Sequence, residues 1–238
     1  MHLDDELLAD FAHGFFGYGN LTAPVWFIGM EEGGGNTAAE ISARLDAWVS
    51  HDREPVADIT SFGDAAGLED HARWFAGKRP PLQSTWRQLI LLQLARLGET
   101  CDAESARRYQ RDRFARQDGN ECLLELLPLP SPSVSAWHYS EWSALPWLES
   151  RAEYRRFMMG RRVEGLRELV ETHRPSVVVF YGLGYIEHWR RIADRELKSD
   201  SSGLRRAATE ATSFVAIPHP ASRSWRNDDF TELGRLLR

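Results

Sequence analysis

Two adjacent carboxylates, Glu31 and Glu32, close the run Val25-Trp26-Phe27-Ile28-Gly29-Met30, and Gly33-Gly34-Gly35-Asn36 follow them. A glycine loop lets backbone approach a ligand closely, because glycine has no Cβ and tolerates positive φ. The N–H groups opening the amphipathic segment from Thr37 to about His51 favour an anion. Two acidic side chains are at odds with a pure phosphate cradle. They point to a loop that holds a ligand and also supplies a carboxylate for chemistry, although either also suits capping of the following helix. Near the other end of the chain, His219 follows the apolar run Ser213-Phe-Val-Ala-Ile217 and Pro218. A histidine at a strand end can donate a hydrogen bond or move a proton near neutral pH. A third ionisable group, Glu125, lies within Cys122-Leu-Leu-Glu-Leu-Leu127, as a pocket residue or a sheet-edge residue. Other reactive residue types read as structural: His138 among tryptophans as a satisfied histidine, Cys122 as core, the arginines of 151–162 as a solvated helix face. Cys101 and Cys122 make neither a disulfide framework nor a zinc site, and no metal or cofactor is implied.

These residues need elements to position them. Val25–Ile28 reads as a buried strand followed by a loop and a helix. Cys122–Leu127 is a second strand, leaving through Pro128-Leu-Pro130-Ser-Pro132. Pro175-Ser-Val-Val-Val-Phe-Tyr181 is short, β-branched and continuously apolar, which is the pattern of a strand buried on both faces. It turns at Gly182-Leu-Gly184, and Ser213–Ile217 is a fourth strand. Helices are expected over 3–13, 37–51, 84–97 (ending at Gly98), 103–117, 149–173, 185–197 and from Asp228 or Asp229 to Leu237. Residues 50–83 read as a long irregular excursion containing Trp74-Phe75. Gly14–Pro24 and Lys198–Ala208 read as loops, and 133–150 as a tryptophan-bearing excursion. Strands separated by helices argue for a parallel sheet with helices on both faces, in a single α/β domain spanning residues 1–238. In such a sheet ligands bind beyond the carboxyl ends of the strands. That rule gathers Glu31–Asn36, Pro128–Pro132, Gly182–Gly184 and His219–Arg226 around one pocket.

The 238 residues carry 42% hydrophobic and 27% charged side chains, ordinary for a soluble globular protein. No run approaches the ~18 apolar residues of a membrane span, and the acidic N-terminus lacks a signal-peptide pattern, so a cytoplasmic location is expected. The net charge of −6 does not advertise nucleic-acid binding. Its distribution is uneven: residues 1–150 balance at −11 and residues 151–238 at +5. Lys78 and Lys198 are the only lysines, and arginine suits phosphate contacts.

The strand ending in Gly29-Met-Glu-Glu-Gly33, the proline-rich exit from the second strand, the Pro-Ser-Val-Val-Val-Phe-Tyr-Gly strand and His219-Pro-Ala-Ser222 together resemble the uracil-DNA glycosylase superfamily. The likeness in element order covers roughly residues 20–238; the matching motifs are short. It implies a three-layer αβα fold with a four-stranded parallel sheet, which binds a base flipped out of DNA at the strand ends. It implies roles for Glu31 in positioning the attacking water and for His219 in hydrogen-bonding the base carbonyl. Gly29, Met30 and Gly33, with Glu125, would surround the base. Ser222, Arg223, Ser224 and Trp225 would form the segment that contacts single- or double-stranded DNA, with Arg223 and Trp225 where the family has a leucine-like wedge. Glu32 stands in place of the family's motif proline, and Glu125 in place of its base-reading asparagine. The family's stacking phenylalanine has no clear counterpart: Leu82 is nearest, with Trp74 and Phe75 upstream. A carboxylate at position 125 would repel a carbonyl acceptor and accept from an amine or ring N–H.

The expected function is therefore hydrolysis of the N-glycosidic bond of a damaged base, with altered base specificity. A non-catalytic nucleic-acid or nucleotide-binding module of the same fold is the alternative. A nucleotide-binding α/β enzyme of another kind, its glycine loop holding phosphate, is a third reading, weakened by the absence of a Lys-Ser/Thr pair or a GxGxxG pattern.

Overall fold

The computed structural model describes residues 1–133, 135–200 and 203–238. In chain order the elements are α1 (Asp5–Gly14), β1 (Gly17–Gly19), β2 (Val25–Glu31), α2 (Ala38–Ser50), β3 (Val56–Ala57), α3 (Ile59–Ala65), α4 (Glu69–Ala72), α5 (Ser84–Leu97), α6 (Ala103–Asp112) and β4 (Glu121–Leu127). There follow α7 (Tyr139–Trp142), α8 (Arg151–His173), β5 (Val177–Tyr181), α9 (Ile186–Ala193), β6 (Lys198–Ser199), β7 (Arg205–Ala208), β8 (Ser213–Ile217) and α10 (Asn227–Leu236).

Among the described residues the strands form one eight-stranded sheet in the order β3-β1-β4-β2-β5-β8-β7-β6. Its centre, β4-β2-β5-β8, is parallel throughout. The sheet as a whole is mixed, because β1 runs antiparallel to β4, and β7 antiparallel to both β8 and β6. The expectation of a four-stranded parallel sheet is corrected accordingly. The added strands are short or polar: Gly17-Tyr-Gly19 is too brief for a period-2 signal, and Arg205–Ala208 carries no apolar run. They were expected to be loops for that reason; residues 201 and 202, within the expected Lys198–Ala208 loop, lie outside the described ones. The excursion over 50–83 likewise contains β3, α3 and α4.

The pleat sorts the strand residues onto two cores. Val25, Phe27, Leu123, Leu127, Val177, Val179, Val215 and Ile217 face one layer, with α1, α2, α5 and α10. Trp26, Ile28, Leu124, Leu126, Val178, Phe180, Phe214 and Ala216 face the other, with α9 and the later half of α8. Successive strand side chains point to opposite faces, so this division follows from the register alone. Caps fix the helices that frame the strand ends: Thr37 Oγ1 accepts from the Glu40 N–H at the start of α2, and Ser150 Oγ from the Glu153 N–H at the start of α8. Gly98 ends α5 in the left-handed region. No helix among the described residues is long and apolar enough to cross a membrane.

Candidate functional site

Because the four central strands are parallel, their carboxyl ends open on one edge of the sheet. A cleft of about 950 Å³ lies there, lined by Glu31, Glu125, Tyr181 and His219 from the strand ends. Glu125 follows Leu123 on the first-core face of β4, as the pleat requires. The Tyr181 hydroxyl donates to Glu125 Oε1 at 2.7 Å. Glu125 Oε2 is shielded from solvent and has no hydrogen-bond partner among the described residues. Burial pushes the Glu125 carboxyl up to about 8, against the Tyr181 bond, and the nearby Glu32 and Glu31 add to the rise. At neutral pH position 125 thus presents a neutral carboxyl, with one donor and remaining acceptor capacity. The expectation that it repels a carbonyl as a carboxylate is revised on that ground.

Gly29 pairs with Glu125 across the sheet, and a Cβ at Gly29 would run into the Tyr181 ring. Gly29 therefore seats Tyr181; it is buried and does not line the cleft. The His219 ring stands edge-on to Tyr181, with centroids 5.7 Å apart. His219 Nδ1 accepts from the Ala221 N–H at 3.1 Å, which leaves the proton of the neutral ring on Nε2. Burial lowers the His219 pKa, so the neutral form holds. The strand ends thus offer a neutral carboxyl, a phenol and a neutral imidazole.

The two loop glutamates are clamped. Glu31, with 8% of its side chain exposed, accepts two hydrogen bonds of 2.6 Å from Arg151 Nη2, one at each oxygen. Arg151 also donates to Ser131 Oγ at 2.9 Å and to the Ala136 carbonyl at 3.2 Å. Burial raises the Glu31 pKa, and Arg151 opposes the rise. Glu32 accepts from Arg44 at 3.2 and 3.3 Å and from the Tyr18 hydroxyl at 3.0 Å. Burial by itself lowers the Arg44 pKa, but Glu32, Tyr18 and Glu40 raise it overall, so its charge is secure. Glu40 accepts from the N–H groups of Gly35 and Asn36 at 2.9 and 2.8 Å. Burial raises its pKa, and these two bonds with the nearby Arg44 lower it overall. Gly35 is left-handed, and a Cβ there would strike the Pro130 carbonyl, so this loop packs closely on the exit of β4.

Aromatic rings line the cleft as well. His71 and Trp74, together with Trp86 of α5 and Tyr18 of β1, line the same cleft. His71 is 8% exposed, and its ring lies 5.8 Å from Trp86 and 6.2 Å from Tyr18. Burial lowers its pKa. Leu82 and Phe75 instead pack against the first core. Among the residues expected at the site, Gly33 lines the cleft with open space where a side chain would stand, and half-buried Met30 packs against both cores. In the His219 loop the Ser222 and Ser224 hydroxyls bond each other at 2.7 Å, and the Ser222 N–H donates to the His219 carbonyl. Half-buried Trp225 packs edge-on against Phe230 at 5.1 Å and against the first core. Arg223 is exposed and forms no ion pair among the described residues.

Sequence reasoning missed Arg44, His71, Trp86 and Arg151. It also took residues 151–162 as a solvated face, whereas Arg162 is 1% exposed and donates to the carbonyls of Leu126, Glu125 and His13. One signal was readable: Arg44 falls on the apolar face of its helix with Ile41, Leu45 and Trp48, where an arginine needs a buried partner. Among the described residues no group of three or more His, Cys, Asp or Glu could hold a metal ion. Compared with protein-family models, curated proteins and solved structures, the chain gave no match.

Proposed function

We propose that this chain is a uracil-DNA glycosylase-like protein that takes one nucleobase, turned out of a DNA strand, into the cleft and hydrolyses its N-glycosidic bond, with a preference altered away from uracil. The observation that carries this reading is the convergence of Glu125, Tyr181 and His219, from three of the four central parallel strands, on one cleft. Breaking the bond leaves positive charge on the sugar and moves the bonding electron pair onto the base. His219 Nε2–H donates to a base acceptor whose electron density rises, and Glu125 reads the base edge as donor and acceptor together. Glu31, oriented by Arg151, is a fixed anion facing the sugar cation. Arg223 meets the phosphates. Extrusion of the base costs a few kcal/mol, least at a damaged or unpaired position.

A specific observation favours a second reading, a binding module without cleavage: both loop glutamates are held in arginine pairs, and neither is a free base. Incubation with single- and double-stranded oligonucleotides carrying uracil, hypoxanthine, xanthine or alkylated bases, assayed for abasic sites, separates the two. The expected outcome is cleavage of at least one substrate, lowered ~10²-fold or more by His219→Ala. Cleavage that survives both His219→Ala and Glu31→Gln would overturn the assigned roles. Salt-dependent binding of labelled DNA without abasic sites would establish the binding module instead.

A further inference from the structure

Few groups lining the cleft can give up a proton near neutral pH. Glu31 has both carboxylate oxygens on Arg151, with Arg155 nearby, and Glu32 has both on Arg44. Glu40 accepts from two backbone N–H groups. These three are held as anions and have no proton to offer. Burial pushes the Tyr18 and Tyr181 phenols well above their usual range and lowers the pKa of His71 and His219, so all four stay neutral. His219 lends the hydrogen bond of its Nε2–H, but a neutral imidazole does not release that proton near pH 7. Glu125 differs from all of these. Its Oε1 accepts from the Tyr181 hydroxyl, so the proton of the neutral carboxyl stands on Oε2, which has no partner among the described residues. The terminal torsion of a glutamate is soft, so the carboxyl can turn Oε2–H to an arriving base.

We infer that Glu125 is the general acid of this cleft, protonating the base as the N-glycosidic bond breaks, so that a neutral base leaves as a neutral molecule. This rests on the glycosylase reading above and gives Glu125 a catalytic role beyond reading the base edge. The step balances. The C1′–N bond breaks and its electron pair goes to the base. The Oε2 proton passes to a ring nitrogen or carbonyl oxygen of the base. The oxygen of water bonds to C1′, and the proton it sheds restores the Glu125 carboxyl. No other base is required, so the arginine pairs of Glu31 and Glu32 are no obstacle to turnover. The groups facing Glu125 tune this acid. Burial pushes it up to about 8, Glu32 and Glu31 add to the rise, and the Tyr181 bond and the charged Arg162 oppose it. Carboxylic acids raised toward the working pH are suited to proton transfer.

Single-turnover cleavage of oligonucleotides carrying uracil, hypoxanthine, xanthine or 7-methylguanine, by the wild type and Glu125→Gln from about pH 6 to 9, tests this. The amide keeps a donor and an acceptor, so affinity for the strand should stay within about threefold. The rate on a neutral base should fall ~10²-fold or more. 7-Methylguanine, already cationic in the strand, leaves neutral without an acid and should lose much less. The wild-type rate on a neutral base should fall above about pH 8, and the variant should lack that limb. A limb that persists in the variant belongs to Arg162, which titrates at about 9, and overturns the inference. Equal rates for variant and wild type, an equal loss on 7-methylguanine, an affinity loss as large as the rate loss, or wild-type cleavage confined to 7-methylguanine also overturn it. In each of these outcomes the glycosylase reading stands. A wild type that cuts no oligonucleotide overturns both.

Discussion

Glu125, Tyr181 and Gly29 form a unit in which each residue answers to the others. Tyr181 holds one oxygen of the neutral Glu125 carboxyl, and its ring occupies the space that a side chain at position 29 would need. Gly29→Ala is therefore expected to push the ring aside and break the bond to Glu125. Overpacking of this kind costs about 1–3 kcal/mol, readable as a lower urea midpoint at unchanged m-value. Ligand affinity should fall with it. Tyr181→Phe is the control that separates the two effects, since it keeps the ring and removes only the hydroxyl. If Gly29→Ala is as stable as the wild type and binds ligand unchanged, the seating role of Gly29 is wrong. The residue scale is also where sequence reading reached furthest and fell shortest. Glu125 and His219 were visible because an ionisable group within or just after an apolar strand stands out. The partner of Glu31 was not, since Arg151 is 120 positions away and nothing local marks it as anything but a helix-surface arginine.

At the scale of elements, β4 carries the most. It is paired along its length with β2, but its pairing with β1 ends at Leu124. Just past that point the carbonyls of Glu125 and Leu126 accept from Arg162, reaching from α8, at 3.0 and 3.1 Å. Its guanidinium lies 3.8 Å from the centroid of the Phe16 ring and has no carboxylate bonded to it among the described residues. Burial lowers its pKa to about 9, still charged at neutral pH. Arg162 thus ties α8 to the segment that presents Glu125 to the cleft. Arg162→Met keeps the buried stem but strands the carbonyls, and is expected to cost about 1–3 kcal/mol for each carbonyl left unpaired. Hydrogen exchange should show faster opening of Glu125–Leu127 than of β5 in that variant. A variant of wild-type stability would show that these carbonyls find other donors. The strand itself was legible as an apolar run. Its dependence on α8 was not, because a charged residue on a charged helix looks solvated until the fold closes over it.

For the molecule as a whole, the four parallel strands and the gathering of their end loops followed from patterns in the sequence: continuous apolar runs, helices between them, and proline or glycine exits. The four flanking strands were hidden because they are held by edge pairing and not by their own apolar content. β4 also sets how the whole molecule responds to pH. It carries a buried carboxyl near each end, and burial pushes Glu121 up to about 7 and Glu125 up to about 8, from 4.5 in an ordinary glutamate. Glu121 is held by the Tyr109 hydroxyl at 2.5 Å and the Ala115 N–H at 2.9 Å, and it remains protonated longer than in the unfolded chain. Between about 4.5 and 8 these two groups bind more protons in the folded state than in the unfolded one, so their contribution to stability falls as pH rises through that window. His71 and His219 act in the opposite sense, since their folded pKa values lie below 6.5 and their contribution grows with pH only up to that value. Above it the carboxyls dominate. Thermal unfolding is therefore expected to show Tm falling from pH 6.5 to 8, the window set by the histidine and Glu125 values. The double variant Glu121→Gln, Glu125→Gln, which fixes both groups in a neutral form, should flatten that slope. A slope unchanged in the double variant would mean that both carboxyls are already ionised in the folded protein at pH 6.5, and with it the neutral Glu125 on which base reading depends would fall.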